Sequence, residues 1–312
     1  MDTVPIRPLR ILVAITFHFR NSRLQCLFQV IRALSEFPVE VLDIIITSNV
    51  DDPDSLEKIN RLAQPLLKDY PLRPGSRKTL SIASFTDLAD PWLLPWTHKQ
   101  FIVDKFLSEG SSYTHFIYLE DDILLSFDNF CYFLHYREKL KMERLIPSFQ
   151  RVEYRSRNNR LYLLDQIGTS DFDARKRIDI DGYSFVNLDY PYNAMFVFDR
   201  ELAEEYVKTR SFNLEHSKQV NPDWGVAERA AMGLCFENPP HGFSVRYASP
   251  VDPVTRTTPR WSWVYHVANN YSKKRMTPFA KTRTEHLFGV RENINVWRPP
   301  RRIEKFLDSL RR

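Results

Sequence analysis

Apolar runs and helical spacings divide the first half of the chain into alternating elements. The run RILVAITF (10–17) predicts a buried strand, and VEVLDIIITSN (39–49) predicts another. Between them, NSRLQCLFQVIRALSEF (21–37) repeats apolar residues at helical intervals. A strand, a helix and a strand in this order predict a βαβ unit, so we expect the two strands to be parallel.

Similar patterns continue to the middle of the chain. Residues 71–84, with two prolines and several basic residues, predict mostly loop or short strand. WTHKQFIVDKFLSEG (96–110) predicts a helix that ends near its glycine. HFIYLE (115–120) predicts a central strand, and Ser126 is placed to cap a long helix over 127–145.

Beyond residue 145 the pattern changes to alternating apolar and polar positions separated by turns, which is typical of strands. The fold class that we expect is α/β, with a Rossmann-like, mostly parallel central sheet flanked by helices and a mixed C-terminal half. The predicted units are an α/β half at 1–145, a mixed half at 146–297 and a basic amphipathic tail at 298–312. The two halves are expected to share one continuous sheet.

Charge and hydropathy narrow the expected setting of the protein. A formal charge of +5 and a pI near 9.0 suit an anionic ligand, a nucleic acid or an anionic membrane surface, without choosing among them. No apolar stretch is long enough to span a membrane, no signal peptide is visible, and three widely spaced cysteines fit a reducing compartment. We therefore expect a cytoplasmic protein. The tail at 298–312 either docks peripherally on a membrane or packs on its own domain.

The scarcity of glycine excludes some familiar nucleotide sites. The chain has 8 glycines and contains neither G-x-G-x-x-G nor G-x-x-x-x-G-K-[ST]. The turn after the first predicted strand, FHFRNSR (17–23), has no glycine at all. A dinucleotide-binding dehydrogenase and a P-loop ATPase are therefore poor interpretations.

Three consecutive acids, Glu120, Asp121 and Asp122, follow the predicted central strand. In an open α/β sheet, ligands bind outside the carboxyl ends of the strands, which is where these acids should lie. Mg²⁺ and Mn²⁺ favour carboxylate oxygens and keep positions for water and substrate phosphates. The acids therefore predict a divalent metal site that bridges to a diphosphate. The alternative is an acidic, solvated exit from the strand without chemistry.

The segment YLEDDILLSFDNFCYF (118–133) resembles the signature of metal-dependent glycosyltransferases of the GT-A fold. The likeness is strongest to the N-acetylglucosaminyltransferase family that begins complex N-glycans. In that family an apolar strand ends in Glu-Asp-Asp, and an Asp with aromatic residues then opens a helix. Asp128, Phe130 and Phe133 occupy the corresponding positions. The close resemblance covers about sixteen residues.

The resemblance implies roles for the three acids and for the ligands. Asp122 would bind Mn²⁺ or Mg²⁺ directly, Asp121 would lie near the ribose or the metal shell, and Glu120 would lie near the nucleotide. The implied donor is a nucleotide diphosphate sugar, with a UDP-sugar favoured, and the acceptor is a glycan or a lipid-linked glycan. The family's acceptor-binding region does not align with residues 145–220, so the identity of the sugar and the acceptor is not implied.

Inverting glycosyl transfer needs a second carboxylate to take the proton of the acceptor hydroxyl. The segment NPDWGVAERA (221–230) offers Asp223 before a predicted helix and Glu228 inside it. In the resembling family the base is an Asp followed by Trp at a helix start, so Asp223 is the predicted base and Glu228 the reserve. The alternatives are a helix-terminal Asp223 favoured by the macrodipole and a solvated Glu228.

His266 ends an aromatic, strand-like run. In many GT-A enzymes a histidine near the C-terminus completes the metal shell or touches the diphosphate, so the resemblance implies this role for His266, and a structural histidine is the alternative. Other residues are predicted by position alone. Lys99 precedes the acidic strand and is expected either to reach a phosphate or to lie on an exposed helix face. The ends of the first two strands supply further predicted nucleotide-sugar contacts, which are Thr16, His18, Arg20 and Asn49.

Three other functions remain open from the sequence. A retaining GT-A transferase would keep His266 in the metal shell and would need no base at Asp223. A sugar nucleotidyltransferase would need a glycine-rich loop after the first strand, which the chain lacks. A basic nucleic-acid-binding protein would suit the pI, but the acidic cluster would repel phosphates without a metal, so we expect no nucleic-acid partner.

Overall fold

The structure, a computed structural model, describes residues 8–68 and 76–289, so the basic tail predicted at 298–312 lies outside the described residues. Within these ranges the chain is mixed α/β. The strands are β1 (Arg10–Phe17), β2 (Val41–Ser48), β3 (Arg77–Ser84), β4 (His115–Glu120), β5 (Ile123–Leu124), β6 (Ile146–Pro147), β7 (Gln150–Arg155), β8 (Arg160–Leu163), β9 (Arg177–Ile180), β10 (Tyr183–Val186), β11 (Met195–Asp199), β12 (Tyr247–Val251), β13 (Trp263–His266) and β14 (Thr282–Arg283). The α-helices are α1 (Leu24–Ser35), α2 (Pro53–Lys68), α3 (His98–Phe101), α4 (Phe127–Lys141), α5 (Arg200–Tyr206), α6 (Leu214–Val220) and α7 (Val226–Ala231).

The main sheet has the strand order β11-β4-β1-β2-β3. Strands β4, β1, β2 and β3 are parallel, and β11 joins the edge of β4 in the antiparallel direction. The predicted βαβ unit and the central position of β4 are confirmed. The apolar runs of β1, β2 and β4 are buried almost throughout, as expected for strands covered on both faces.

Residues 71–84 were expected to be mostly loop or short strand, but Arg77–Ser84 form the longer strand β3. Its side chains alternate between exposed and partly buried, which fits an edge strand with only one partner. An edge strand needs less apolar surface than a central one, so the periodicity of β3 is weak. The polar composition of this segment concealed an eight-residue strand.

Helices cover both faces of the main sheet. Helix α4 packs against the face that carries His115, whose ring meets Phe130 edge-on. Helix α3 packs against the opposite face, where the His98 ring lies over Tyr118. Ser126 caps α4 through a capping box with Asn129, which confirms the predicted start of this helix.

The single helix predicted over 96–110 is wrong. The chain forms a 3-10 helix at Pro91–Thr97, the short α3, and then a π-helical turn at Ile102–Phe106. Trp96 and Thr97 belong to the 3-10 segment that begins at Pro91. The segment is helical as predicted, but its hydrogen-bonding pattern changes twice.

The expectation of one continuous sheet is also wrong, because the described strands form three sheets. Only β11 from the second half joins the main sheet. The other two sheets have the orders β6-β12-β10-β9 and β14-β8-β7-β13-β5. None of the helices in the described part of the chain is long and apolar enough to cross a membrane.

Candidate active site

The acidic triplet lies where the strand order of the main sheet reverses. From β1 the chain proceeds to β2 and β3 on one side, and β4 pairs with β1 on the other side. The carboxyl ends of β1 and β4 therefore border a crevice of the kind that binds ligands in open α/β sheets. Thr16 pairs with Glu120 in this register, and the Asp121 amide donates to the Thr16 carbonyl at 3.1 Å.

A second sheet brings His266 to the same crevice. The short strand β5 follows Asp122 directly, and β13 pairs with it so that His266 lies opposite Ile123. The Val267 amide donates to the Asp122 carbonyl at 2.9 Å, which continues the pairing past the strand. On its other edge β13 pairs in parallel with β7, the strand that carries Glu153. Backbone pairing therefore aligns Asp122, His266 and Glu153.

The imidazole of His266 lies between two carboxylates. Its Nε2 is 3.1 Å from Asp122 Oδ2, and its Nδ1 is 2.7 Å from Glu153 Oε1. Burial acts to lower the pKa of His266, but the hydrogen bonds to Asp122 and Glu153 outweigh it and raise the pKa to about 9. The two carboxylates therefore favour the protonated imidazole in the absence of a metal, and a cation that binds at Nε2 would displace the proton from that nitrogen and leave the one on Nδ1.

Arg23 supplies the other cation of the crevice. It lies in the 3-10 turn between β1 and α1, and its Nε and Nη2 donate to both oxygens of Asp121 at 2.7 and 2.6 Å. The same Nη2 is 3.0 Å from Asp122 Oδ2. This bidentate geometry holds the Asp121 carboxylate in a fixed orientation.

Only one of the two carboxylate oxygens of Asp122 has partners within the described ranges. Its Oδ2 meets both Arg23 and His266, whereas its Oδ1 is buried without a hydrogen-bond partner among the described residues. Burial acts to raise the pKa of Asp122, but the hydrogen bond from His266 and the nearby arginine charges hold it at about 2. Burial, opposed by the Arg23 hydrogen bonds, raises the pKa of Asp121. Asp121 and Asp122 are 4% and 3% exposed, so the solvated-exit alternative is wrong.

Glu120 belongs to a layered cluster beside the two aspartates. It accepts a hydrogen bond from the Tyr192 hydroxyl at 2.7 Å, and burial together with the Asp122 charge raises the pKa of Glu120 to about 7. The Arg151 guanidinium lies 4.5 Å from the Tyr192 ring centroid. The Trp224 ring stacks on Tyr192 with a centroid distance of 5.6 Å. The cluster connects the acidic triplet to the segment that contains the predicted base.

Both predicted bases lie on the turn and helix next to this stack. Asp223 is exposed in the turn before α7, adjacent to Trp224. Glu228 lies in the first turn of α7, and its carboxylate folds back so closely that a Cβ at Gly225 would collide with it at 2.2 Å. Asp223 is therefore open to a ligand, whereas Glu228 is folded against the start of its own helix.

The residues predicted at the ends of β1 and β2 have different surroundings. Thr16 is buried, and its hydroxyl accepts from Thr47 at 3.4 Å. Asn49 accepts from the Phe19 amide at 2.7 Å, which fixes the turn after β1. His18 is partly buried, and burial together with Arg20 and Arg23 lowers its pKa. Of this set, His18 and the exposed Arg20 remain available to a ligand, while the Thr16 and Asn49 side chains are engaged in hydrogen bonds within the protein.

Lys99 does not fit either role predicted for it. It is 6% exposed, so it does not lie on an exposed helix face. Its Nζ donates to the carbonyls of Ser211 and Phe212 at 2.6 and 3.0 Å and lies 3.7 Å from the Trp96 ring centroid. Burial lowers the pKa of Lys99. The ammonium group is used to hold the 210–212 segment, so we do not retain it as a phosphate contact.

Two side chains of the crevice are of the types that bind divalent cations. Within residues 8–68 and 76–289, no group of three or more His, Cys, Asp or Glu side chains could by itself hold a metal ion. Asp122 and His266 offer two ligand atoms, and Oδ1 of Asp122 has no hydrogen-bond partner among the described residues. Mg²⁺-type sites commonly use one or two protein carboxylates and complete their shell with water and substrate phosphates.

Four residues of the site were missed by sequence reasoning, and these are Arg23, Arg151, Glu153 and Tyr192. Arg23 differs in no visible way from Arg20 in the same turn, and only the backbone path shows which one reaches the acids. The sequence contains only a weak indication of Glu153. It lies between two apolar residues of a strand, Val152 and Tyr154, and this pattern does not show which side of the sheet the glutamate faces.

A scan against protein-family models finds no family that matches the chain. A search of curated proteins finds no sequence match either. The site must therefore be interpreted from its own geometry.

Proposed function

We propose that the chain is a metal-dependent glycosyltransferase of the GT-A type. The donor is a nucleotide diphosphate sugar, with a UDP-sugar favoured, and the acceptor is a hydroxyl of a glycan or a lipid-linked glycan. The support comes from the EDD segment, the position of that segment at the reversal of strand order, and the charged groups that meet there.

The single observation that carries the proposal is the buried, unpartnered Oδ1 of Asp122 beside His266. A buried carboxylate oxygen without a partner costs free energy, so a structure retains one only where something else compensates. A divalent cation at this position would compensate the cost, and the crevice beside β1 and β4 is where α/β sheets place nucleotides.

The site residues divide into a metal side and a nucleotide side. Asp122 and His266 would hold Mn²⁺ or Mg²⁺, and the bound ion would neutralise charge on the departing diphosphate. Asp121, fixed by Arg23, and Glu120, fixed by Tyr192, would border the nucleotide. Because their positions are set by hydrogen bonds within the protein, these carboxylates are preorganised before the ligand arrives.

We assign the base to Asp223, with Glu228 as the reserve. In an inverting transfer the acceptor hydroxyl attacks the anomeric carbon opposite to the diphosphate, the sugar–phosphate bond breaks, and Asp223 takes the hydroxyl proton. Asp223 is exposed, and its neighbour Trp224 reaches the acidic cluster through Tyr192. A retaining transfer would make Asp223 dispensable.

A thermal-shift panel of UDP-, GDP- and CDP-sugars, each with and without Mn²⁺, tests the proposal. We expect stabilisation only when a nucleotide sugar and Mn²⁺ are both present, and we expect Asp122→Asn to remove it. Release of a nucleoside diphosphate from the nucleotide sugar on incubation with an acceptor would identify a transferase. A nucleotidyltransferase would instead release pyrophosphate when it is given a nucleoside triphosphate and a sugar 1-phosphate.

Two outcomes would contradict the proposal. One is nucleotide-sugar binding that does not depend on the metal, because the Asp122 site would then have no part in it. The other is salt-sensitive affinity for DNA or RNA without a metal, which would favour the nucleic-acid-binding alternative.

A further inference from the structure

We infer that Glu153 is a positioning residue for His266. Its carboxylate keeps the proton of the neutral imidazole on Nδ1, so that the Nε2 lone pair faces the cation position beside Asp122. This inference rests on the proposed function, since it concerns the same cation site.

The geometry fixes the imidazole ring from both edges. Nδ1 is 2.7 Å from Glu153 Oε1, and Nε2 is 3.1 Å from Asp122 Oδ2. The Glu153 side chain is 0% exposed, and that of His266 is 5% exposed. Water therefore has little opportunity to replace the carboxylate at Nδ1.

Glu153 is held in place by contacts that do not involve His266. The Ser272 amide donates to Oε2 at 2.5 Å, and the Tyr271 amide donates to Oε1 at 3.2 Å. Strand β7, which carries Glu153, is paired on both sides by β8 and β13. The carboxylate therefore stays in position when Nε2 exchanges Asp122 for a cation.

The chemical consequence concerns the tautomer of His266. An ionised carboxylate can only accept hydrogen bonds, so Glu153 requires an N–H at Nδ1. A neutral imidazole has one N–H, and its other nitrogen is then free to coordinate a metal. Carboxylates that orient a metal-binding histidine in this way raise metal affinity, and their loss commonly costs 10–100-fold.

The competing explanation is that Glu153 serves only the backbone amides of residues 271 and 272. Glu153→Gln separates the two roles. The Ser272 amide donates to Oε2, whereas Nδ1 contacts Oε1. A glutamine oxygen at the Oε2 position keeps the Ser272 amide, and its NH₂ group then lies at the Oε1 position and faces Nδ1, with loss of the longer Tyr271 contact. That arrangement favours the tautomer with the proton on Nε2, which cannot bind a metal.

Glu237→Gln is the matched control. Glu237 is also buried, at 3% exposed, and its Oε1 also accepts a backbone amide, from Ser211 at 2.8 Å. It makes no hydrogen bond or ion pair with the acidic triplet among the described contacts. Loss of a buried carboxylate charge at Glu237 therefore reports the general cost of such a substitution.

The experiment is a Mn²⁺ titration of the nucleotide-free protein, followed by the electron paramagnetic resonance signal of free Mn²⁺, on the wild type, Glu153→Gln and Glu237→Gln. Melting temperatures in EDTA are measured beside it. We expect Glu153→Gln to weaken Mn²⁺ binding about 10–100-fold, and Glu237→Gln to stay within about twofold of the wild type. A similar loss of melting temperature in both variants would exclude general destabilisation as the cause.

A folded Glu153→Gln variant that binds Mn²⁺ as tightly as the wild type overturns the inference alone. A wild type that binds no Mn²⁺ overturns the proposed function as well. If Glu153→Gln does not fold, ¹⁵N NMR of the histidine rings in the Mg²⁺-loaded wild type decides the question. We expect His266 to carry its proton on Nδ1, and a proton on Nε2 would contradict the assignment.

Discussion

The two ends of strand β4 both carry titratable groups. They differ in how many of the carboxylate oxygens have hydrogen-bond partners within the protein. At the amino end, His115 lies opposite Asp199 of β11. Asp199 uses both oxygens, because Oδ2 accepts from Arg137 at 2.7 Å and Oδ1 caps α5 through the Leu202 amide at 2.8 Å. At the carboxyl end, Asp122 crowds two cations onto Oδ2 and leaves Oδ1 without a partner in the described structure.

The contrast separates a structural use of charge from the functional use that we propose. A carboxylate that joins a helix cap to a buried arginine contributes to stability and leaves nothing for a ligand. A buried carboxylate with a free oxygen leaves a cost that folding alone does not relieve. The same strand therefore ends in a completed ion pair on one side and in the proposed cation site on the other.

Neutralising one carboxylate at each end should give the largest contrast. We expect Asp122→Asn to reduce Mn²⁺ affinity by more than about 100-fold, since even changes outside the ligand shell cost 10–100-fold. Asp199→Asn should leave Mn²⁺ affinity unchanged and lower stability by about 1–3 kcal/mol, because Arg137 loses a charged partner. Mn²⁺ titration and urea unfolding of both variants check this, and a reversed pattern would contradict the comparison.

The predicted base should affect turnover and not binding. Asp223→Asn is expected to keep donor affinity within about threefold and to slow transfer by about 10²–10⁴-fold, because general-base assistance is lost. Glu228→Gln is the matched control and should change transfer by less than about tenfold. A larger loss in Glu228→Gln would exchange the two roles, and normal turnover of Asp223→Asn would indicate a retaining mechanism or a different base.

His115, at the structural end of β4, should make stability depend on pH. Burial lowers its pKa from 6.5 to about 4, with the Asp199 charge opposing. Between these values the unfolded chain binds a proton that the folded chain does not, so stability falls as pH decreases from about 6.5 to 4, by about 3 kcal/mol. His115→Phe, which keeps the ring beside Phe130, should flatten that dependence in urea titrations. An unchanged pH profile would show that folding does not shift the pKa of His115.

Removing the positive charge of Arg23, beside the acids at the carboxyl end of β4, should have the smallest effect. Arg23 shares Asp121 and Asp122 with any incoming metal, so Arg23→Met is expected to tighten Mn²⁺ binding in the absence of nucleotide by several-fold, or about 1 kcal/mol. Arg20→Met, an exposed arginine in the same turn, should change it by less than twofold. Weaker Mn²⁺ binding in Arg23→Met would mean that Arg23 is needed to hold the acids in place.

Local signals predicted part of the fold and of the site. The buried runs of β1, β2 and β4 and the Ser126 cap could be predicted because each depends on a short stretch of sequence. The approach of His266 to Asp122 depends on β13 pairing with the two-residue strand β5, which has no periodicity to detect. The resemblance implied that both residues belong to one metal shell, but no local pattern in the sequence shows how the chain brings them together.

The failures have equally specific causes. Lysine usually lies on the surface. Lys99 is buried because its Nζ donates to backbone carbonyls and lies 3.7 Å from the centroid of an aromatic ring. Arg23 was overlooked because its role comes from the geometry of a turn and not from its residue type. Long-range pairing and side-chain direction are the quantities that a single sequence does not contain.

The most direct test of the account is a crystal structure with Mn²⁺ and UDP, with anomalous data collected at the manganese edge. We predict an anomalous peak within bonding distance of Asp122 Oδ1 and His266 Nε2, with the diphosphate on its open side and Glu153 still bound to Nδ1. A structure that contains UDP but shows no manganese at Asp122, with that carboxylate still paired only to Arg23 and His266, would contradict the account.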